Sequence, residues 1–84
     1  MRKVLYIMGK AQAPNPPLPD GHGPDSRSSV VLIQDAVTLP QVSGDDVFVL
    51  GEDLTARQTT SRFPVISYAD LLRMIFEADS VVAL

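Results

Sequence analysis

Apolar positions in this chain gather into five short runs, parted by polar or proline-rich stretches. Lys3 to Met8 (KVLYIM) combines β-branched and aromatic residues without polar alternation, which predicts a first strand buried on both faces. Val30 to Gln34 predicts a second strand, Asp46 to Leu50 (DVFVL) a third, and Ser80 to Leu84 (SVVAL) a fifth. Pro64 to Ser67 is a very short fourth strand, with proline at its first position, where a missing N–H matters least.

One segment carries a clear helical period. Tyr68, Leu71, Leu72, Ile75 and Phe76 fall at i, i+3, i+4, i+7 and i+8, while Asp70, Arg73, Glu77 and Asp79 lie mostly on the other side. Ser67 stands where a cap belongs, with Asp70 three residues on in a capping-box arrangement. A second, shorter helix is expected from Glu52-Asp53 through Arg57, its carboxylates favouring the positive end of the helix dipole. Ala36 to Asp45 has room for at most a turn of helix. Strands alternating with few short helices predict an α/β fold, a small, mostly parallel five-stranded sheet in a single domain spanning residues 1–84.

The stretch from Gly9 to Ser29 breaks this alternation. It holds five of the seven prolines and three of the five glycines, and Pro14, Pro16, Pro17 and Pro19 each remove a backbone donor and push the preceding residue out of helical geometry. A long proline-rich loop after the first strand is therefore expected, poorly ordered unless a partner holds it.

Composition then narrows the function. A chain of 84 residues buries only roughly 60 to 65% of its unfolded surface, and with no cysteine it has neither disulfides nor thiolate metal sites to supplement the core. A partner subunit is the natural remaining source of buried area. The net charge of −3 and pI near 4.7 argue against direct nucleic-acid binding, whose affinity comes from clustered Lys and Arg. Too few apolar residues precede Gly9 for a signal peptide, and no run approaches a membrane span. A cytoplasmic protein is expected.

Candidate chemistry is sparse. His22 lies between Asp20 and Asp25, but three potential ligands on one loop without a supporting shell make a weak metal site. The two P-x-x-P spacings within Pro14 to Pro19 suit a polyproline groove, yet arise readily in any proline-rich loop. Gly21-His22-Gly23 lacks the rest of a dinucleotide fingerprint, and no nucleophile motif is present. The strand ends remain. Gln34-Asp35 and Glu52-Asp53 both leave carboxyl ends of strands, where α/β domains bind ligands, and they can meet as an acidic cluster with Arg57 as counter-charge. The simpler reading has Asp35, Glu52 and Asp53 capping helix starts or turns, with Gln34 bonding the neighbouring loop.

VVLIQDAVT, then VFVLGEDLTAR, then VISYADLLRMIFEADSVVAL, in that order, resemble the DsrH/TusB family of sulfur-relay subunits, within the DsrE/DsrF/DsrH-like superfamily. Gln34-Asp35 match a strand ending in Gln/Glu-Asp-Gly. Asp53-Leu54 and Ala56-Arg57 match an x-x-D-L-x-A-R segment, and Tyr68 with Leu71 and Leu72 matches the strand-to-helix junction before the closing strand. The resemblance covers Val30 to Leu84. It implies a small cytoplasmic α/β/α subunit that associates with DsrE/TusD-like and DsrF/TusC-like chains, or with itself, in complexes that pass persulfide sulfur toward tRNA 2-thiouridine or within sulfur oxidation.

The departures from the family pattern matter as much. Ala36 replaces the usual glycine, the second helix is abbreviated, and the proline-rich loop stands where the family has a helix that in some members carries a cysteine. The implied role is noncatalytic, with no cofactor and no metal, and with Gln34, Asp35, Glu52, Asp53, Arg57 and Tyr68 as structural or partner-facing residues. A different class, a small ligand-binding or regulatory α/β domain using the strand-end groups, is the alternative; a proline-loop adaptor is a weaker third.

Overall fold

The computed structural model describes residues 2–10, 26–39, 42 and 44–83. Among them the chain forms strands β1 (Arg2–Met8), β2 (Ser26–Leu32), β3 (Asp46–Leu50), β4 (Val65–Ile66) and β5 (Ser80–Ala83). Two α-helices, α1 (Gly51–Ala56) and α2 (Tyr68–Glu77), and a 3-10 turn at Gln34–Thr38 complete the set. All strands pair in parallel in the order β4-β3-β2-β1-β5. The fold is thus α/β on a five-stranded parallel sheet, as the alternation predicted; the proline-rich segment, with His22 and both P-x-x-P spacings, lies outside the described residues.

Alternation along the strands sorts the core into two layers. Val4, Tyr6 and Met8 of β1, Val30 and Leu32 of β2 and Val49 of β3 point to one face, where Ala36, Val37 and Leu54 cover them. Leu5, Val31 and Leu50 point to the other, under Leu71, with Met74 and Ile75 of α2 and its C-cap Ala78 packed against them. Central strands are therefore apolar on both sides, as a parallel sheet requires.

The second strand differs from expectation. It starts at Ser26 and ends at Leu32, so SRSS is ladder and not loop, while Ile33 leaves the sheet and Gln34 opens the 3-10 turn. Polar residues hold this strand start because β3 supplies their partners. The Ser28 N–H donates to Asp45 Oδ2 at 2.7 Å, the Asp45 N–H returns a bond to the Ser28 carbonyl at 2.9 Å, and Arg27 grips both carboxylate oxygens of Asp46 at 2.8 and 2.9 Å. The same grip raises the Arg27 pKa further above its ordinary value. Gly44 makes the preceding turn, since at φ 153° a Cβ would lie 2.9 Å from Val30 Cγ2.

The long helix forms as its pattern requires. The Asp70 N–H donates to Ser67 Oγ at 3.1 Å and the Ser67 N–H donates to Asp70 Oδ2 at 3.2 Å, a reciprocal capping box. Hydrogen bonding of the Asp70 carboxylate by Ser67, from its backbone N–H first and its side chain second, with Arg73 adding to it, lowers the Asp70 pKa below the ordinary carboxylate value. Ser67→Ala should cost about 1 kcal/mol, read as a lower urea midpoint at unchanged m-value. Because the folded-state pKa of Asp70 is depressed, its contribution is full above the ordinary carboxylate pKa and fades as pH falls through the lowered value. Acid unfolding of Asp70→Asn should accordingly lack that part of the wild-type pH dependence.

Candidate functional site

The carboxyl ends of β2 and β3 come together around one arginine. Beyond β2 the Ile33 N–H donates to the Met8 carbonyl at 2.9 Å, and Gln34 then takes a left-handed φ of 50°, uncommon for a residue with a side chain and worth on the order of 1 kcal/mol of strain. That twist aims the Gln34 N–H at Asp53 Oδ2, 2.7 Å away. The following 3-10 turn is closed by the Ala36 N–H on the Ile33 carbonyl at 3.0 Å and by the Thr38 hydroxyl on the Asp35 carbonyl at 2.8 Å. It buries Ala36 and Val37 over the sheet and leaves Asp35 outside.

Arg57, just past α1, spans the gap. Its Nε and one terminal nitrogen reach Asp35 Oδ1, both at 3.1 Å, and the other terminal nitrogen lies 3.9 Å from Asp53 Oδ1, one helical turn back. Asp53 is 24% exposed and Asp35 75%, so the inner carboxylate holds the backbone and the outer one holds the arginine. Four of the residues singled out by sequence thus form one latch: Gln34, Asp35, Asp53 and Arg57. Of the carboxylates that could meet there, Asp35 and Asp53 share Arg57 as counter-charge.

The expected acidic helix start is found, with Glu52 and Asp53 in the first turn of α1, but neither carboxylate is its cap. Leu50 is the N-cap of α1 and makes no side-chain cap bond; Asp53, three residues on, turns across to Gln34 instead of to its own helix start. Glu52 sits next to Asp53 but about 100° around the helix, and it faces away from the latch into a crevice shared with Thr55, Ser61, Ser67 and Asp70. Tyr68 opens α2 with half its surface in water. The structure therefore brings neither Glu52 nor Tyr68 to the latch.

That crevice, of about 1040 Å³ and open to solvent, has a topological cause. The chain leaving β3 enters α1 on one face of the sheet, whereas the chain leaving the adjacent β4 enters α2 on the opposite face. Where neighbouring strands send their connections to opposite sides, the loops part and a crevice opens outside the carboxyl ends. Gly51 lets the two strand ends approach, since a Cβ there would lie 2.9 Å from Val65 Cγ1. Sequence reading overlooked its hydroxyls, although Thr55, Thr59, Thr60 and Ser61 crowd the stretch TARQTTS. Their density was the available signal.

Chemically the latch is occupied. The guanidinium is spent on two carboxylates, and the better shielded carboxylate already accepts a backbone N–H. Among the described residues no group of three or more His, Cys, Asp or Glu side chains is placed to hold a metal ion, no buried side-chain N or O lacks a partner, and no helix is long and apolar enough to cross a membrane. No family model, curated protein or solved structure matches the chain. Fold and geometry therefore define the class, a small parallel α/β domain with a strand-end latch and a switch-point crevice.

The latch predicts an order of sensitivities. Asp53→Ala, which strands a backbone N–H and removes a charged acceptor, should cost about 1–3 kcal/mol. Asp35→Ala, at an exposed ion pair, should cost under about 1 kcal/mol. Chemical denaturation of the two variants beside the wild type checks the ranking.

Proposed function

We propose that the chain is a noncatalytic structural subunit of the DsrH/TusB kind, docking persulfide-carrying DsrE/TusD-like partners in a cytoplasmic sulfur-relay assembly. The observation that carries the reading is the latch. Gln34-Asp35 and Asp53 to Arg57, the two stretches in which the resemblance to that family is densest, close on each other as one unit joining β2 to β3. Their groups serve each other rather than a substrate. The parallel α/β fold agrees with the architecture the resemblance implies, and a chain without cysteine leaves the sulfur-carrying step to a partner.

Purification of the chain co-expressed with DsrE- and DsrF-like proteins tests this. Stable co-elution of all three is expected, weakened in Asp53→Ala. A chain that elutes alone from every such mixture sinks the reading.

A second reading, a small ligand-binding or regulatory domain, is favoured by the crevice at the switch point, the place where open α/β sheets bind small molecules. It moves the binding residues from the latch to Glu52, Thr55 and Ser61. Under this reading a small-molecule screen followed by amide chemical shifts finds perturbations confined to residues 51–70, and Thr55→Val abolishes them.

A further inference from the structure

We propose that two copies of this chain associate through β5 and the outer flank of α2, forming one sheet that runs continuously across a two-fold axis. The first observation is the shape of α2's apolar surface. Its buried side presents Leu71, Met74, Ile75 and Ala78 to the sheet, yet Tyr68, Leu72 and Phe76, spaced four apart, remain in water, Phe76 at 86% and Tyr68 at 53% exposure. On the other flank Asp70 borders the crevice beside β4, and Glu77 borders a cleft that runs from Lys3 to Leu5 of β1 across Arg27 of β2 to Asp46 of β3. The apolar flank therefore looks the opposite way, over β1 toward β5.

The second observation is β5 itself. Among the described residues it pairs only with β1 and ends the sheet, so its outer backbone donors and acceptors have no ladder partner there. Edge strands are usually blunted by charge, proline or brevity. The other edge follows that rule, since β4 is two residues long and follows Pro64. Ser80–Ala83 (SVVA) does not: it has four residues, no charge and no proline, and its register with Leu5 turns the exposed Val81 to the same face as the α2 flank.

A second copy fits this surface better than an unrelated chain because the surface is self-complementary. A two-fold axis perpendicular to the sheet pairs β5 with its counterpart antiparallel and sets the two α2 helices antiparallel above them. The stripe aromatic, leucine, aromatic then reads the same from either copy. Leu72 approaches the axis opposite Leu72 of the second copy, each Phe76 meets a Tyr68, and Val81 floors the gap. No charged side chain of α2 lies on this flank, so the symmetric approach brings no like charges together. With Phe76 at 86%, Tyr68 at 53% and Leu72 and Val81 at 44% exposure, full burial of these side chains and the edge backbone in two copies removes on the order of 1,000 Å², the lower limit for a specific interface.

The inference stands apart from the sulfur-relay reading. Sedimentation of the full chain between micromolar and 100-micromolar concentrations should give twice the 9.1 kDa chain mass. Phe76→Glu should shift the protein to monomer with an unchanged circular dichroism spectrum, since the side chain it replaces makes little of the core. Because the chain has no cysteine, Leu72→Cys gives a single thiol: a short bis-maleimide should cross-link it to dimer, and Glu52→Cys should not be cross-linked. A wild-type monomer at every concentration overturns the proposal, as does a dimer indifferent to Phe76→Glu. So does a monomer that binds a DsrE-like chain through Phe76, which assigns the surface to a different subunit. A dimer that ignores DsrE- and DsrF-like chains leaves this proposal standing and removes the sulfur-relay reading instead.

Discussion

Parallel strands cannot be joined by tight turns, so each connection must carry the chain back along a face of the sheet, and here the connections are also the cover those faces receive. Much else follows from how little regular structure two of them carry. Between β2 and β3 the return is made by a five-residue 3-10 turn, and between β3 and β4 by six residues of helix. Ala36, Val37 and Leu54 share one buried cluster with Leu32 and Val49 on that face, with Leu39, Val42 and Phe63 packed against it. On the opposite face the single described helix, α2, leaves Ile7, Ile33, Phe48 and Ile66 only partly covered.

Short connections also have little of their own to hold them. A full helix would fix itself by its length and its buried face; a single 3-10 turn has too few hydrogen bonds for that. The latch supplies the missing constraint. Asp53 on one connection accepts the backbone N–H of Gln34 on the other, and Arg57 ties Asp35 to the same carboxylate. The strain at Gln34 is tolerated because the twist brings its N–H to a charged acceptor, which offsets a cost of similar size. A latch of this kind is a structural use of residues that, read along the chain, resemble an acid-base cluster.

Much of the latch was legible in advance and part of it was not. The order of Gln34-Asp35 and Asp53 to Arg57 after two successive strands already put carboxylates and an arginine at the same end of the sheet. Which carboxylate faces which group was not readable, because Glu52 and Asp53 are chemically alike and only the phase of α1 sends one to Gln34 and the other to the crevice. The polar start of β2 was missed for a related reason. Arg27 and Ser28 carry no hydrophobic signal, and what holds them in the strand is the carboxylates of Asp46 and Asp45, 19 and 17 residues further on.

By itself the sequence determined the α/β class, the strand runs of β1 and β3, the capped helix at Ser67 and the absence of any cysteine for sulfur chemistry. These depend on local periodicity and composition, which short-range sterics and burial translate directly into structure. Only the tertiary structure decided the strand order, the left-handed turn at Gln34, the crevice between β3 and β4, and the direction in which Tyr68, Leu72 and Phe76 face. Each of those is set by which elements become neighbours in space, and a helix with apolar residues around much of its circumference does not reveal, until the sheet beneath it is in place, which of them the core will leave in water.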